Sequence, residues 1–391
     1  MANLKVDTVS GIGTEGPVLN GGLHFRSKNY LTLPKGTTTE RTATSSGIST
    51  VIGAIRYNTD SNKMECYVNN KWMIVSTSSP TLDGGDGRGF FAGGSTTPFP
   101  TPVNTIDMIT ISTAGDAVNF SDLTQQVREV GGAAASKTRG IRAGGTISGS
   151  PPNSTHTDTI DFITMAQQSN ATDFGNLTQH SLSFGSSTGG SETRGIFMFS
   201  MQSSSPTRTV VDTIEFVTIA STGNSLDFGN LTAASQTEQC SSSPTRTFKF
   251  GGFNPNRSKQ VEFITTATTG NAQNFGDLTR AVSRGAPCGN ATRGIYAGGE
   301  DDAALTDEAE KIEYATLGNA VEFGDVVGSG REYISAVSTP VRGVWTGGGP
   351  GSLTNTITYQ ALATAGTGID FGDMTAAYQS RGGFSNSHGG L

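Results

Sequence analysis

Charge is scarce in this chain: only 15% of its 391 residues are Asp, Glu, Lys or Arg, with 33 acids against 26 bases. A net charge of −7 and an isoelectric point of about 5.2 leave no basic footprint for a phosphate backbone, so no nucleic-acid partner is expected. Long apolar runs are missing as well. None approaches the ~18–20 residues that span a bilayer, and the opening Met1–Gly11 lacks the basic-then-apolar order of a signal peptide. The sequence therefore predicts no membrane insertion and a protein made without export. Cysteine is limited to Cys66, Cys240 and Cys288, an odd number without a C-x-x-C pair, which argues against a disulfide or metal framework. Cys240 and Cys288 stand where other parts of the chain place Ala134, Ser186 and Ala336, and read as small packing residues.

Histidine is equally sparse. His24, His156, His180 and His388 occupy unrelated positions, and no H-E-x-x-H, triad-like grouping or metal spacing occurs. No catalytic residue, cofactor or metal site is expected, and the protein is not read as an enzyme. The acidic stretch Glu300-Asp301-Asp302 with Asp307, Glu308 and Glu310 offers the hard oxygen ligands that calcium takes, but without ligand spacing it reads as a solvated loop.

What the chain has in abundance is glycine, 53 residues of it, arranged in a repeat. A phrase opening at Arg-Gly, reaching a Gly-Gly pair, continuing through Asp-Thr-Ile-(Asp/Glu)-Phe and ending near Gly-Asn and Asp-Phe-Gly-Asn-Leu-Thr is written six times. Its arginines are Arg88, Arg139, Arg194, Arg246, Arg293 and Arg342, by subtraction 51, 55, 52, 47 and 49 residues apart. Its phenylalanines are Phe120, Phe174, Phe228, Phe275, Phe323 and Phe371. A period of about 50 residues holding several short strands is in the range of propeller repeats. In the third unit, Arg194–Phe199 and Val210–Ile219 read as strands separated by a polar loop at Ser200–Thr209. A turn at Ser221–Asn224, an aromatic strand at Ser225–Leu231 and a small-residue strand at Gln236–Ser243 follow. Both faces of DTIDFIT carry apolar groups, as expected where sheets are covered on both sides. The Gly-Gly pair is absent from this unit, where Phe199-Ser200 stands, so a local irregularity is predicted there.

Strand, Gly-Gly, loop, strand, turn and aromatic strand at this spacing resemble the kelch family of β-propellers over residues 84–391. The family's fourth-strand tryptophan is replaced by Asp/Asn-Phe-Gly. The resemblance implies an all-β fold, a six-bladed kelch-like propeller over 81–391, with the motif phenylalanines buried between blades. Only 20 residues follow Phe371, enough for one small-residue strand that would complete the blade begun at Arg88. The motif arginine recurs in every unit and reads as structural, bonding turn carbonyls or a neighbouring carboxylate. Recognition is expected in the loops that vary after the Gly-Gly pairs, with Phe99, His156, Arg208, Phe253, Asn256, Arg257, Asp301, Asp302 and Leu353 as candidates.

Residues 1–80 lack the repeat. A three-strand meander is predicted at Gly53–Tyr57, Lys63–Tyr67 and Lys71–Val75, within a module spanning 51–80. Gly53, Ile55, Arg56, Tyr57, Asn58, Glu65, Tyr67 and Trp72 resemble a module of fibre and tail proteins of tailed bacteriophages, and MANLKVDTVSGIGTEGPV resembles the starts of virion proteins of phages of marine cyanobacteria. Residues 1–50 are then an extended attachment and oligomerisation segment. The resemblance implies a non-enzymatic virion protein of the tail, neck or capsid, such as a tail fibre, forming a homotrimer through residues 1–80. Other virion proteins and a host-surface glycan or protein would be its partners. A cellular kelch-type interaction adaptor is the alternative.

Overall fold

The computed structural model describes residues 33–42, 52–61, 63–69, 71–75, 87–97, 101–149, 154–183, 189–204, 207–236, 239–349 and 352–387. The chain divides into two compact units, Met1–Ser79 and Pro80–Leu391. No helix among the described residues is long and apolar enough to cross a membrane.

The first unit is a sheet whose meander runs Ile55–Asn58, Lys63–Val68 and Lys71–Ile74, close to the sequence expectation. Lys35–Gly36, placed by sequence in the extended segment, adds a parallel strand with Lys35 opposite Tyr57. Residues 1–32, most of the predicted attachment segment, lie outside the described residues.

The second unit is a succession of antiparallel meanders built on one plan. A small-residue first strand turns into a second strand beginning at the motif arginine. The third strand carries the Asp or Glu of the repeat, except in the sixth sheet where Thr358 stands, and the fourth carries the motif phenylalanine. The second sheet shows the plan with Gly132–Ala135, Arg139–Ser148, Thr155–Thr164 and Thr172–Asn176. The fourth sheet (Gln239–Ser242, Arg246–Phe250, Ser258–Thr265, Gln273–Val282) and the fifth (Ala286–Gly289, Arg293–Ala297, Glu308–Glu313, Val321–Asp325) repeat it. So does the sixth: Ser335–Ser338, Arg342–Thr346, Thr356–Ala361 and Ile369–Asp373.

The third sheet departs from the plan. It keeps Arg194–Met198, Thr213–Thr218 and Leu226–Asn230, while only an isolated bridge between Gly190 and Gly195 marks the first-strand position. The stretch expected as a polar loop is instead a hairpin, Met201–Ser204 against Thr207–Val210, flanked by Ser181–Leu182. With Phe199-Ser200 in place of glycines the chain runs on into a further strand pair.

The first sheet takes its first strand from the far end of the chain. Gly382–Ser385 pairs with Arg88–Ala92, which continues to Thr101–Thr110 and Val118–Val127. Forming that pair brings together segments almost 300 residues apart in sequence, as Asn386 Oδ1 accepting from the Arg88 amide at 2.8 Å also shows.

Each sheet is covered by its neighbours, and three repeated contacts do this. The motif arginine reaches forward: Nη1 of Arg88, Arg139, Arg194, Arg246 and Arg293 donates to the carbonyls of Met165, Ile219, Thr266, Tyr314 and Leu362 in the following sheet, at 2.9 to 3.1 Å. Arg342 of the sixth sheet donates to Ile111 of the first at 2.8 Å. Several of these guanidinium groups also lie over an aromatic ring of their own third strand, as Arg194 does over Phe216 at 4.4 Å and Arg342 over Tyr359 at 4.3 Å. Of the two roles the sequence left open for the arginine, turn carbonyls are the observed one.

The second contact explains Gly-Asn. The turn between third and fourth strands presses on the fourth strand of the sheet before it, where Ala171, Ser225, Ala272, Ala320 and Gly368 donate their amides to Asp122, Asn176, Asn230, Asp277 and Asp325, and Ala117 to Asp373. The approach is close enough that a Cβ on Gly175 or Gly229, both at positive φ, would meet the next turn's carbonyl at 2.4 or 2.5 Å.

The third contact is apolar. Six buried clusters among the described residues each combine two adjacent sheets, and each contains one motif phenylalanine; the cluster around Phe371 joins the sixth sheet to Ile109 and Ile111 of the first. Small first-strand residues let neighbouring sheets meet at their inner edges: Ser338 Oγ donates to Gly289 O and Ser385 Oγ to Ser338 O, both at 2.7 Å. Cys240 and Cys288 are buried, unbridged members of these strands, lining a narrow cleft of about 20 Å³ with Ser338 and Ser385.

Truncating one of these rings should expose the dependence on sheet contacts. Phe228→Ala is expected to lower unfolding free energy by about 3–5 kcal/mol in denaturant titrations. Leu226→Ala, two residues away on an exposed position, should change it by less than about 0.5 kcal/mol.

Candidate functional site

The sequence-selected loop residues do not converge. Phe99 and the side chain of Arg208 lie outside the described residues. His156 is no loop residue: it is buried in the third strand of the second sheet, paired with Thr146, whose Oγ1 lies 3.0 Å from Nδ1. Phe253 is half-buried and bridges Gln236 and Arg257, Asn256 is exposed at the tip of that turn, and Leu353 is half-buried. Arg257, Asp301 and Asp302 do meet. Arg257 pairs with Glu300 at 2.5 Å and Asp302 at 3.4 Å, while Asp301 accepts the amides of Ala303 and Ala304 at 2.8 Å. Burial opposes the Asp301 charge, but those amides with Arg280 and Arg257 hold its carboxyl below the usual value. The acidic stretch is thus matched by arginines rather than arranged for a cation. Among the described residues no group of three or more His, Cys, Asp or Glu side chains could hold a metal ion.

Five third-strand carboxylates, Asp107, Asp161, Glu215, Glu262 and Glu310, are fully buried. Buried acids invite a catalytic reading, yet each is met by the threonine four residues after the motif phenylalanine of the preceding sheet. Thr124 Oγ1 donates to Asp161 at 2.5 Å, Thr232 Oγ1 to Glu262 at 2.8 Å and Thr375 Oγ1 to Asp107 at 2.7 Å; Thr178 serves Glu215 through hydroxyl and amide, and Thr279 serves Glu310 through its amide. Cations complete four of them: Arg381 on Asp107, Arg142 on Asp161, Lys249 on Glu262 and Arg280 on Glu310. A carboxylate held in this way ties sheets together, although Asp107 makes all its contacts through Oδ2 and leaves Oδ1 buried without a hydrogen-bond partner. Between the fifth and sixth sheets both members change: Val327 replaces the threonine and Thr358 replaces the acid. Arg331 is left buried on carbonyl oxygens, Gly347 and Thr356 among them, and burial lowers its guanidinium to about 10.

The side chains that break the repeat lie elsewhere, where connectors enter the first strands. Glu129, Arg284, Tyr333 and Ser380 all have positive φ, between 50° and 63°. Glycine would adopt this backbone freely, whereas each of these residues costs about 1 kcal/mol or more. The positions adjoin one another: Tyr333 donates its amide to Arg284 O at 2.8 Å and Ser380 donates to Tyr333 O at 2.9 Å. Arg284 lies 5.0 Å from the Tyr333 ring centroid and grips Glu300 at 2.8 Å and Glu332 at 2.9 Å. Burial works against the Arg284 charge, but Tyr333, Glu332 and Glu300 outweigh it and hold the group above its ordinary value. Burial likewise pushes the Tyr333 phenol up to about 12, so it is a neutral hydroxyl at physiological pH.

Sequence reasoning passed over this cluster because it looked only at loops after Gly-Gly. The signal was available: Glu129, Arg284 and Ser380 each lie nine residues after a motif phenylalanine and Tyr333 lies ten, large or polar side chains next to small residues of the first strands. Neither a known family model nor a curated protein matches the chain.

Arg331 provides a test of the carboxylate ties. Thr358→Asp would give it the partner that Asp107 gives Arg381, so a higher melting temperature is expected at pH 7. A carboxyl lowered by a guanidinium contributes its stability above the unfolded value of about 3.9 and loses it as pH falls through the folded value. The gain should therefore vanish in melts run below about pH 3, and an unchanged or lower melting temperature at pH 7 speaks against the tie.

Proposed function

We propose that residues 87–387 close into a six-bladed kelch-like β-propeller that acts, without chemistry of its own, as the recognition head of a virion appendage such as a tail fibre. Closure is supported by the return of the arginine, turn and phenylalanine contacts from the sixth sheet to the first, and by the C-terminal strand beside Arg88–Ala92. The absence of an enzymatic role is supported by the occupied state of the buried carboxylates.

The observation that carries the appendage reading is the sheet of the first unit. Among its described residues the only buried ones are polar: Asn58 and Glu65, both 0% exposed, bonded to each other at 2.9 Å with Arg41 on Glu65. The opposite face holds Ile55, Tyr57, Met64, Cys66, Val68 and Met73, while Tyr67, Trp72 and Ile74 share the face of Glu65. Ile55, Cys66 and Met73 lie in register, as do Tyr57 and Met64, and Ile55 is 48% and Met73 55% exposed. A sheet with its apolar face outward has no core of its own and is stabilised when identical copies pack those faces around an axis. This supports a homotrimer through residues 1–80 whose propellers face other virion proteins or a host surface, the arrangement the fibre-like motif implies.

Mass spectrometry of purified virions should find the chain. A cellular adaptor would be absent from them and recovered from cell lysate instead. Light scattering should give three chains for the full-length protein and one for a chain starting at Thr81. The double substitution Ile55→Glu, Met73→Lys is expected to return the full chain to monomer. A full-length monomer, or a truncated trimer, overturns the stalk.

A further inference from the structure

Once the propeller is taken as closed, Glu129, Arg284, Tyr333 and Ser380 stand around one end of its axis, at the rim where the first strands begin. We propose that this rim, with Tyr333 and Arg284 at its centre, is a binding site for an uncharged glycan. The inference rests on the propeller reading and deepens its recognition role.

Backbone cost sets these positions apart from the rest of the repeat. A position that repeats with positive φ from sheet to sheet is one that glycine fills with least strain, and this chain spends 53 glycines elsewhere. The four positions share a backbone and differ in side chain: Glu129 and Ser380 are buried, Glu129 on Arg128 and Thr146, whereas Arg284 and Tyr333 are half-buried and form the open part of the rim. Individual side chains on a symmetric frame are the mark of recognition rather than packing.

Chemistry favours a glycan. Tyr333 is partly exposed, with the Arg284 guanidinium 5.0 Å from its ring centroid, and that guanidinium is fixed in turn by Glu300 and Glu332. A pre-set aromatic face suits the C–H face of a pyranose, and planar carboxylate and guanidinium edges suit vicinal hydroxyls, at little cost in side-chain ordering. The cation at the centre is already balanced by two acids, which disfavours phosphate, sulfate or sialate. A protein partner is less suited: among the described residues the exposed large apolar side chains of the second unit start fourth strands (Val118, Leu226, Val321, Ile369) or lie in the turns at that same end of the sheets (Leu317, Val341), opposite this rim.

The full-length protein applied to a printed array of defined neutral and acidic glycans should bind a subset of the neutral ones. Tyr333→Phe keeps the ring and should keep that binding, whereas Tyr333→Gly should weaken it at least about tenfold. Tyr333→Gly also relieves the backbone, so it should melt no lower than the parent, separating lost recognition from lost folding. Binding to no neutral glycan, binding only to acidic glycans, or equal binding by the glycine variant overturns the site. A chain found in virions that binds no arrayed glycan overturns this site alone. A chain absent from virions whose glycan binding depends on Tyr333 overturns the appendage alone.

Discussion

A four-stranded sheet with apolar groups on both faces cannot stand alone, and in the second unit every structural device follows from that constraint. Covering one face with the next sheet leaves the problem to be passed on until the last sheet meets the first. The repeat is in effect a description of that contact. Arginine supplies a donor for the next turn, Gly-Asn brings the turn against the previous strand, phenylalanine fills the space between, and threonine meets the buried acid. Each of these residues makes a contact in the adjoining sheet, which is why they recur together or change together.

The interface between fifth and sixth sheets illustrates the coupling. Leaving a threonine opposite an absent acid would strand a donor, and leaving an acid opposite valine would strand a charge; either is costlier than losing both. The chain has lost both, at Val327 and Thr358, and Arg331 enters the gap on carbonyl oxygens. A similar paired departure occurs at the first sheet. Ser121 replaces the glycine after the motif phenylalanine, and the turn that packs on that strand has Ser169 where others have glycine.

Much of this was legible because the repeat is averaged over six copies. The strand plan, the burial of the phenylalanines, the irregularity at Phe199-Ser200 and the strand at the chain's end follow from period and remaining length. What was not legible is contact specificity. Nothing in the spacing tells a guanidinium to choose a carbonyl over a carboxylate, since both lie within reach of the neighbouring sheet. His156 was misplaced because two long strands, Arg139–Ser148 and Thr155–Thr164, extend into what polar composition marks as loop; their cross-strand pair Thr146–His156 satisfies the polar groups that would otherwise favour solvent. The strained rim was missed because φ is not written in residue type: an Arg or Tyr where glycine would fit best looks ordinary until the backbone is known.

Local rules are broken in two places, and the two breaks are alike in kind. Around the entry to the first strands the chain accepts backbone strain to place Arg284 and Tyr333 where glycine would serve the fold. In the first unit it buries Asn58 and Glu65 in a sheet that leaves Ile55 and Met73 exposed. Sequences that fold well agree with themselves at every level, and the residues that disagree are those selected for something other than the fold. A strained side chain offers a fixed group to a small ligand, because the backbone that pays for it also immobilises it. A sheet with exposed apolar groups offers area, which only another macromolecular surface can cover. The difference in what each break costs, conformational energy in one and unburied apolar surface in the other, is the physical ground on which ligand recognition is proposed for the second unit and self-association for the first.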